Sequence, residues 1–174
     1  KPYGFQSSHL PDLLRLLDCE SGNYMLSQSH RILKDRKHLI ISALKEVNHS
    51  IVIMEGLGKY PFAQGELTIE NIENNVETKD DRVAFLDAAL IGYPLLLRPW
   101  KTGDYFYPLG MSKKKKLSRF FIDKKLSIAE KEKVWVVEMN KKIVWVVGYR
   151  IDDRFKITDN TKAVVKMSLS LKVD

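Results

Sequence analysis

The sequence predicts an α+β fold: a mainly antiparallel sheet with a basic amphipathic helix, preceded by a smaller α+β region. Residues 165–173 alternate between apolar and polar side chains, which is the period of a strand with one buried face. Two nearly continuous apolar segments, Val134–Met139 and Lys142–Tyr149, are typical of paired strands that are buried on both faces. Residues 117–121 carry large apolar side chains at positions i, i+3 and i+4, which predicts a helix packed on a core.

The first predicted element is a short amphipathic helix near the N-terminus. Pro11 is a favourable first helical residue because its missing N–H group has no partner to lose there. Leu13, Leu14 and Leu17 follow at helical spacing. We expect this helix to end near Ser21, which is followed by a glycine.

Two strands and an acidic segment are predicted next. His38–Leu44 and Ser50–Glu55 are apolar, β-branched runs joined by a polar connection, which predicts an antiparallel pair. Glu66–Asp81 contains six acidic residues and one lysine, and we interpret it as an edge strand followed by an acidic loop. We place the domain boundary there, between residues 1–80 and residues 81–174.

The second half contains the remaining elements. Pro94–Trp100 is a predicted strand that ends in a turn, and Tyr105–Tyr107 begins another extended segment. Ser112 is a plausible N-cap for the basic helix, because its hydroxyl can accept a hydrogen bond from a free backbone N–H group.

Composition and length exclude several classes of protein. The chain has 174 residues, of which 44% are hydrophobic and 29% charged, as in ordinary globular domains. Cys19 is the only cysteine, so an internal disulfide is excluded and a cysteine-based metal site is disfavoured. The longest mainly apolar stretch, Ala88–Leu97, has about half the length of a membrane-spanning helix. Because the chain begins at Lys1 without an initiator methionine, we expect a fragment of a longer protein.

Motifs for catalysis and for metal or nucleotide binding are missing from the sequence. The four histidines do not have metal-binding spacing, and no glycine-rich phosphate loop or nucleophile elbow is present. Asp152 and Asp153 are adjacent acids after a strand, and we interpret them as a turn pair. The sequence therefore predicts neither catalytic nor metal-binding residues.

The positive charge is concentrated in one segment. Residues 98–133 carry 11 basic and 4 acidic side chains, whereas the rest of the chain carries 18 of each. Lys113–Lys116 stand where a helix is predicted to begin, although the positive end of the helix dipole favours acidic residues. A bound phosphate would resolve this conflict, with Ser112 and free helix N–H groups as further donors. The aromatic residues at 105–107 are of the type that stacks on a base or sugar. Taken alone, however, these residues and Trp100 are more typical of a core than of a stacking platform. A solvated lysine-rich face over an ordinary core is the competing interpretation.

Two segments resemble a known family, the bacterial tRNA(Ile)-lysidine synthetases. Residues 97–111 read LRPWKTGDYFYPLGM, and residues 114–123 read KKKLSRFFID. Residues 143–156 read IVWVVGYRIDDRFK and are similar to that family's closing strand and its Gly-x-Arg-Ile-Asp-x-Arg-Phe segment. The strong similarity covers about residues 95–160, which is the family's C-terminal domain.

The resemblance implies a cytoplasmic ligase that uses ATP with Mg²⁺ to adenylylate the wobble cytidine of a minor isoleucine tRNA and then joins lysine to it. The family's PP-loop catalytic domain has a Ser-Gly-Gly-x-Asp-Ser signature, which this sequence lacks, and Ser21–Asn23 is no substitute. Residues 1–80 are then a linker and a first, substrate-recognition region, and residues 81–174 are a tRNA-binding domain. The fragment itself is expected to hold tRNA, including its acceptor arm, without a cofactor, a metal or catalytic residues. The resemblance implies no membrane association and leaves the oligomeric state open, a homodimer included.

Nine side chains are candidates for tRNA binding: Lys113 comes from the lysine run, and the resemblance, carried over residue by residue, implies the other eight. The primary candidates are Lys113, Lys114, Lys115, Lys116 and Arg119, and the secondary candidates are Arg98, Lys101, Arg150 and Arg154. Arg98 can instead pair with Asp104 across the turn to hold the fold. The other two arginines can likewise pair with Asp152 or Asp153.

Three functional hypotheses follow. The first is a noncatalytic tRNA-binding part of a lysidine-forming ligase. The second is a noncatalytic protein-interaction domain with a solvated lysine-rich face. The third, an autonomous enzyme, has the least support because no catalytic motif is present.

Overall fold

The structure is a computed structural model that describes residues 2–44, 51–73 and 80–172. Antiparallel strands and a few short helices make up its secondary structure, which confirms the predicted α+β class. The chain divides into two compact units, Lys1–Asn48 and His49–Asp174.

The first unit combines a helix with a three-stranded antiparallel sheet. Its elements are α1 (Leu10–Asp18), β1 (Tyr24–Leu26), β2 (His30–Asp35) and β3 (His38–Ala43), preceded by 3-10 turns at Pro2–Gly4 and Ser7–His9. Pro11 lies in the first turn of α1, which confirms the predicted helix. The buried side of this helix is formed by Leu16, whereas Leu14 and Leu17 are exposed.

The described residues of the second unit form two larger sheets, a two-stranded ribbon and two short helices. Its strands are β4 (Val52–Met54), β5 (Gly58–Phe62), β6 (Gly65–Ile72), β7 (Val83–Asp87), β8 (Leu95–Pro99), β9 (Tyr105–Phe106), β10 (Lys115–Lys116), β11 (Trp135–Met139), β12 (Lys142–Val146), β13 (Arg150–Ile151) and β14 (Val164–Leu171). Its helices are α2 (Leu117–Asp123) and α3 (Ile128–Glu132), with 3-10 turns at Ala88–Leu90 and Asp153–Phe155. The strand orders are β13-β12-β11-β8-β4 and β5-β6-β14-β7, and β9 pairs with β10.

The two larger sheets pack face to face. One apolar cluster contains buried side chains from both of them, including Leu67 and Met167 of the four-stranded sheet and Leu97 and Trp145 of the five-stranded sheet. Each of these side chains is less than 2% exposed, so burial of this interface provides the main apolar stabilisation of the unit.

The opposite face of the five-stranded sheet is covered by α2 and the β9–β10 ribbon. A second apolar cluster, here called the outer cluster, contains Phe106 of β9, Phe121 of α2 and Val136 of β11. Trp135, next to Val136, points into the first cluster instead. The predicted burial of β11 and β12 on both faces is therefore confirmed, and the basic segment forms the outermost layer above them.

The predicted pairing of His38–Leu44 with Ser50–Glu55 is wrong. β3 pairs with β2 through a tight turn in which Arg36 has a positive φ of 53°, and β4 pairs with β8. A short turn brings neighbouring strands together at little cost in loop-closure entropy. An apolar run shows that a strand will be buried, but it does not identify the strand beside it. The predicted connection at residues 45–49 lies outside the described residues.

β6 is an interior strand, so its prediction as an edge strand is wrong. It pairs along its whole length with β14 and on its other side with β5. Because β14 is the last strand, these pairings join residues 65–72 to the C-terminal end of the chain. The division into compact units falls between residues 48 and 49, whereas the prediction divides the chain at residue 80. The larger part of the predicted acidic loop lies outside the described residues.

Gly65→Ala is expected to destabilise the second unit, because β6 and β14 approach each other closely there. An added Cβ atom would lie 1.9 Å from the backbone oxygen of Ser170, so one strand would have to move. We expect the free energy of unfolding to fall by about 1 to 3 kcal/mol in urea denaturation, as in other overpacked sites. Gly56→Ala is the control, since no described atom lies within 4 Å of its added Cβ. Equal losses in both variants would contradict this account.

Candidate nucleic-acid interface

The four consecutive lysines do not form the start of a helix. Helix α2 begins at Leu117, and Lys115 and Lys116 belong to strand β10. The first helical N–H group, that of Leu117, already donates to the backbone oxygen of Asp104 at 2.9 Å. Ser112 lies outside the helix and does not cap it. The predicted helix N-terminus with a Ser112 cap is therefore wrong, because strand pairing with β9 holds Lys115 and Lys116 in an extended conformation.

The β9–β10 ribbon has one face toward the protein and one toward solvent. Phe106 lies opposite Lys115, and Tyr105 lies opposite Lys116. Side chains directly opposite each other in an antiparallel pair point to the same face. Phe106 is fully buried in the outer cluster, whereas Tyr105 is 46% exposed. The solvent face of the ribbon therefore presents Tyr105 beside Lys116.

A second lysine contacts the same tyrosine. The Nζ atom of Lys114 lies 5.3 Å from the centroid of the Tyr105 ring, which is within cation–π distance. Tyr105 thus has Lys114 over its ring and Lys116 opposite it in the ribbon. We call these three side chains the lysine–tyrosine face.

The primary candidate cations differ in their acidic partners. Lys115 Nζ lies 2.5 Å from Asp123 Oδ2, and Arg119 Nε lies 3.4 Å from the other carboxylate oxygen. The hydrogen bond from Lys115 lowers the pKa of Asp123 below its ordinary value. In the part of the chain that the structure describes, no carboxylate lies within 4.0 Å of the ammonium groups of Lys113, Lys114 and Lys116. Their positive charge is uncompensated within these described ranges.

Arg98 holds the fold, as the alternative interpretation proposed. Its side chain is 8% exposed, and it hydrogen-bonds to both carboxylate oxygens of Asp104 at 2.8 and 2.9 Å. It also donates to Glu138 on β11 and to the backbone oxygen of Pro99. Burial acts to lower the pKa of Arg98, but the hydrogen bonds to the two carboxylates outweigh it and raise the pKa. Because every nitrogen of the guanidinium group has a protein acceptor, we remove Arg98 from the set of RNA-binding candidates.

Lys101 lies on the turn that Arg98 stabilises. Its backbone N–H group donates to Asp104 Oδ2 at 2.8 Å, and its side chain is exposed. The turn passes through Gly103, whose φ of +97° favours glycine. Lys101 therefore stays a candidate for tRNA binding, on a turn whose conformation is fixed by these hydrogen bonds.

The two candidate arginines near the C-terminal end have different surroundings. Arg154 makes two side-chain hydrogen bonds to Asp152, each 2.8 Å long, and its guanidinium carbon lies 4.5 Å from the centre of the Tyr107 ring. These hydrogen bonds raise the pKa of Arg154. Arg150 is exposed, and among the described residues it has no acidic partner. The fold-holding alternative thus applies to Arg154 and not to Arg150 within those residues.

Asp152 and Asp153 connect this turn to the segment that leads into the lysines. Asp152 is fully buried and accepts hydrogen bonds from the backbone N–H groups of Tyr107 and Arg154. Asp153 accepts from the N–H group of Gly110, which lowers the pKa of Asp153, with a further contribution from Lys156. The prediction of a turn pair is confirmed. Its role in anchoring residues 107–110 could not be found from the sequence, because the partners lie more than 40 residues away.

The part of the chain that the structure describes shows no metal-binding geometry. There, no group of three or more His, Cys, Asp or Glu side chains converges on one point. None of the helices in the described ranges has the length and apolar character that a membrane crossing needs.

Family models match both units of the chain. A model described as "TilS substrate binding domain" matches residues 1–47, and one described as "TilS substrate C-terminal domain" matches residues 95–169. The second match contains the ribbon, helix α2 and the Asp152–Asp153 turn.

Two curated relatives are similar over nearly the whole chain. The tRNA(Ile)-lysidine synthase of Parabacteroides distasonis is 38% identical over 171 residues, which is 95% of this chain and 38% of the relative. That of Bacteroides thetaiotaomicron is 32% identical over 164 residues, which is 94% of this chain and 37% of the relative. The chain therefore spans less than two fifths of the length of these relatives.

A solved structure has the same fold as part of the chain. It is described as "Crystal structure of TILS C-terminal domain", and it superposes with a TM-score of 0.61 at 20% sequence identity. The match covers 72% of this chain and 100% of the solved one. This likeness concerns the fold alone. The two family models and the relatives show that the chain belongs to the tRNA(Ile)-lysidine synthetase family and carries its substrate-binding and C-terminal domains.

Proposed function

We propose that the second unit binds tRNA through the basic side chains around the β9–β10 ribbon. The observation that carries this proposal is the group of three exposed lysines, Lys113, Lys114 and Lys116, for which no described carboxylate provides compensation. Such a group attracts the phosphate backbone of a nucleic acid, and the release of condensed counterions favours binding. Arg119, Lys101 and Arg150 are exposed and extend the proposed surface. Lys115 and Arg154 are largely engaged by carboxylates and contribute less.

The parent protein is proposed to be an ATP-dependent tRNA(Ile)-lysidine ligase of the cytoplasm. Support comes from the names of the relatives, tRNA(Ile)-lysidine synthase, and from the family models. The residues of this chain do not fit ATP, since the sequence has no glycine-rich phosphate loop. We therefore derive no step with ATP, Mg²⁺ or lysine from it. In this proposal the chain positions tRNA, and the chemistry belongs to the part of the relatives outside the matched length.

The electrostatic geometry favours a polyanion over a small anion. A single phosphate would be held by converging donors, whereas these lysines are exposed side chains in a short segment that ends in strand β10. Several exposed cations close together in the chain suit successive phosphates of an RNA backbone. The contacts would then position the RNA without reading its sequence.

Replacing Lys113, Lys114 and Lys116 together with alanine is expected to weaken tRNA(Ile) binding. Each phosphate contact contributes about 0.7 to 0.9 to the slope of log K against log salt, so the slope should fall in magnitude by about 2 to 3. The measurement is fluorescence-anisotropy titration of labelled tRNA at several salt concentrations.

The charge-matched control replaces Lys142, Lys162 and Lys172, which are exposed residues outside the ribbon. This control should change the salt slope by less than the contribution of one phosphate contact. If the ribbon variant kept the slope and affinity of the original chain, the RNA-binding proposal would be refuted. The protein-interaction hypothesis would then be favoured, with the lysines serving only solvation.

A further inference from the structure

Tyr105 is an exposed aromatic side chain that the packing of the second unit does not require. Its neighbour Phe106 anchors β9 in the outer cluster, and the backbone pairing with Lys116 holds the tyrosine in place. The ring is 46% exposed, and a lysine lies over it. A large ring held on a strand, with one lysine over it and another opposite it in the ribbon, is suited to bind a flat group that carries a negative charge beside it.

We propose that Tyr105 is a stacking site for an unpaired base of the bound RNA, with Lys114 and Lys116 neutralising the adjacent phosphates. This inference rests on the proposed function, since it concerns the same surface. It adds that the surface binds a single-stranded or unpaired element in addition to duplex backbone. Bases in a helix are already stacked on each other, so an exposed ring can stack only on a base that is free of its pair.

The lysine over the ring can leave it. Within the described residues, no carboxylate holds Lys114, and its contact with Tyr105 is a cation–π interaction at an exposed site, which is weak. A nucleotide offers a better arrangement, because the base replaces the ammonium group on the ring and the ammonium group binds the phosphate. Stacking of a base on an aromatic side chain is the stronger of the two contacts.

Tyr107 shows why Tyr105 is the stacking site. Tyr107 is half-buried, and its ring is covered by Arg154 at 4.5 Å. Arg154 is held in place by two hydrogen bonds to the buried Asp152, so it cannot move aside for a base. The two tyrosines are two residues apart and each has a cation over the ring, but only the cation over Tyr105 is displaceable.

The test compares Tyr105→Ala with Tyr105→Phe in the whole chain. The probe is an unstructured RNA oligonucleotide that contains 2-aminopurine, whose fluorescence is quenched by stacking. We expect Tyr105→Ala to weaken binding by about 5- to 150-fold, which is the range for loss of one base–aromatic stack, and to abolish the quenching. Tyr105→Phe should keep both, because the hydroxyl is not needed for stacking. The salt slope should stay unchanged in both variants, since no cation is removed.

Two controls separate this inference from the proposed function. Ile122→Ala removes an exposed apolar side chain from α2 in the same layer and should leave binding and quenching unchanged. A blunt RNA duplex should bind equally well to the original chain and to Tyr105→Ala. If Tyr105→Ala bound the single-stranded probe with unchanged affinity and quenching while the triple lysine variant lost affinity, stacking would be refuted and the RNA-binding proposal would stand. If the triple lysine variant lost no affinity, both the RNA-binding proposal and the stacking inference would be refuted.

Discussion

Arg98→Ala is expected to lower the free energy of unfolding by about 3 to 5 kcal/mol, which is the range for breaking a buried ion pair by removing one partner. The side chains of Asp104 and Glu138 are 8% and 13% exposed, and the substitution would leave both carboxylates without their common cation. The loss includes the connection between the turn at Lys101–Asp104 and strand β11. The change in unfolding free energy is measured by urea denaturation, with circular dichroism as the signal.

Two further variants test whether the ion pairs of Arg98 cause the expected loss of stability. Arg98→Lys keeps the charge but not the planar group that reaches both carboxylates, so we expect a substantial part of the loss to persist. Lys101→Ala removes an exposed cation from the same turn and should change stability by less than about 0.5 kcal/mol. If Arg98→Ala lowered the free energy of unfolding as little as Lys101→Ala, the ion pairs of Arg98 with Asp104 and Glu138 could not be important for stability.

Asp152→Ala is expected to cost about 2 to 4 kcal/mol of unfolding free energy. The substitution removes the acceptor of the Tyr107 N–H group and the partner of Arg154, and both would stay partly buried. It also releases residues 107–110, which lead into the lysines, so we expect weaker tRNA binding in addition. Thermal and urea unfolding measure the first effect, and anisotropy titration measures the second.

Asp152→Asn and Asp159→Ala are the comparisons for this prediction. Asp152→Asn keeps the shape of the side chain and one carbonyl acceptor, so its loss should be smaller than that of Asp152→Ala. Asp159 is an exposed acid in the loop that follows, and its removal should have little effect on either measurement. A loss for Asp159→Ala equal to that for Asp152→Ala would indicate that net charge, and not the hydrogen bonds, is responsible.

The elements that could be predicted are those whose pattern is local. β11 and β12 are recognisable because they are apolar on both faces, and α2 because Leu117, Phe120 and Phe121 share one side of a helix. The short helix α3 was missed, although Ser127 and Glu130 form a capping box at its start. With only five residues it has no apolar period long enough to recognise.

The candidate site was predicted in composition but not in geometry. The lysine run and its aromatic neighbours were identified from the sequence. Whether the lysines begin a helix or form a strand depends on β9, which lies opposite Lys115 and Lys116 and pairs with them. The role of Arg98 was likewise open, because a guanidinium group near Asp104 can bind either that carboxylate or a phosphate.

The sequence by itself determined the α+β class, the location of the positive charge and the family resemblance, since each depends on which residues occur and in what order. The tertiary structure decided which of the described cations have carboxylate partners. It buried Arg98 between two carboxylates, secured Arg154 to Asp152, and left Lys113, Lys114 and Lys116 exposed beside Tyr105. The physical reason is that a cation's availability depends on the acids within about 4 Å of it. The pairing of β8 with β11 brings Glu138 to Arg98 from 40 residues away in sequence, and the conformations of two local turns place Asp104 beside Arg98 and Asp152 beside Arg154.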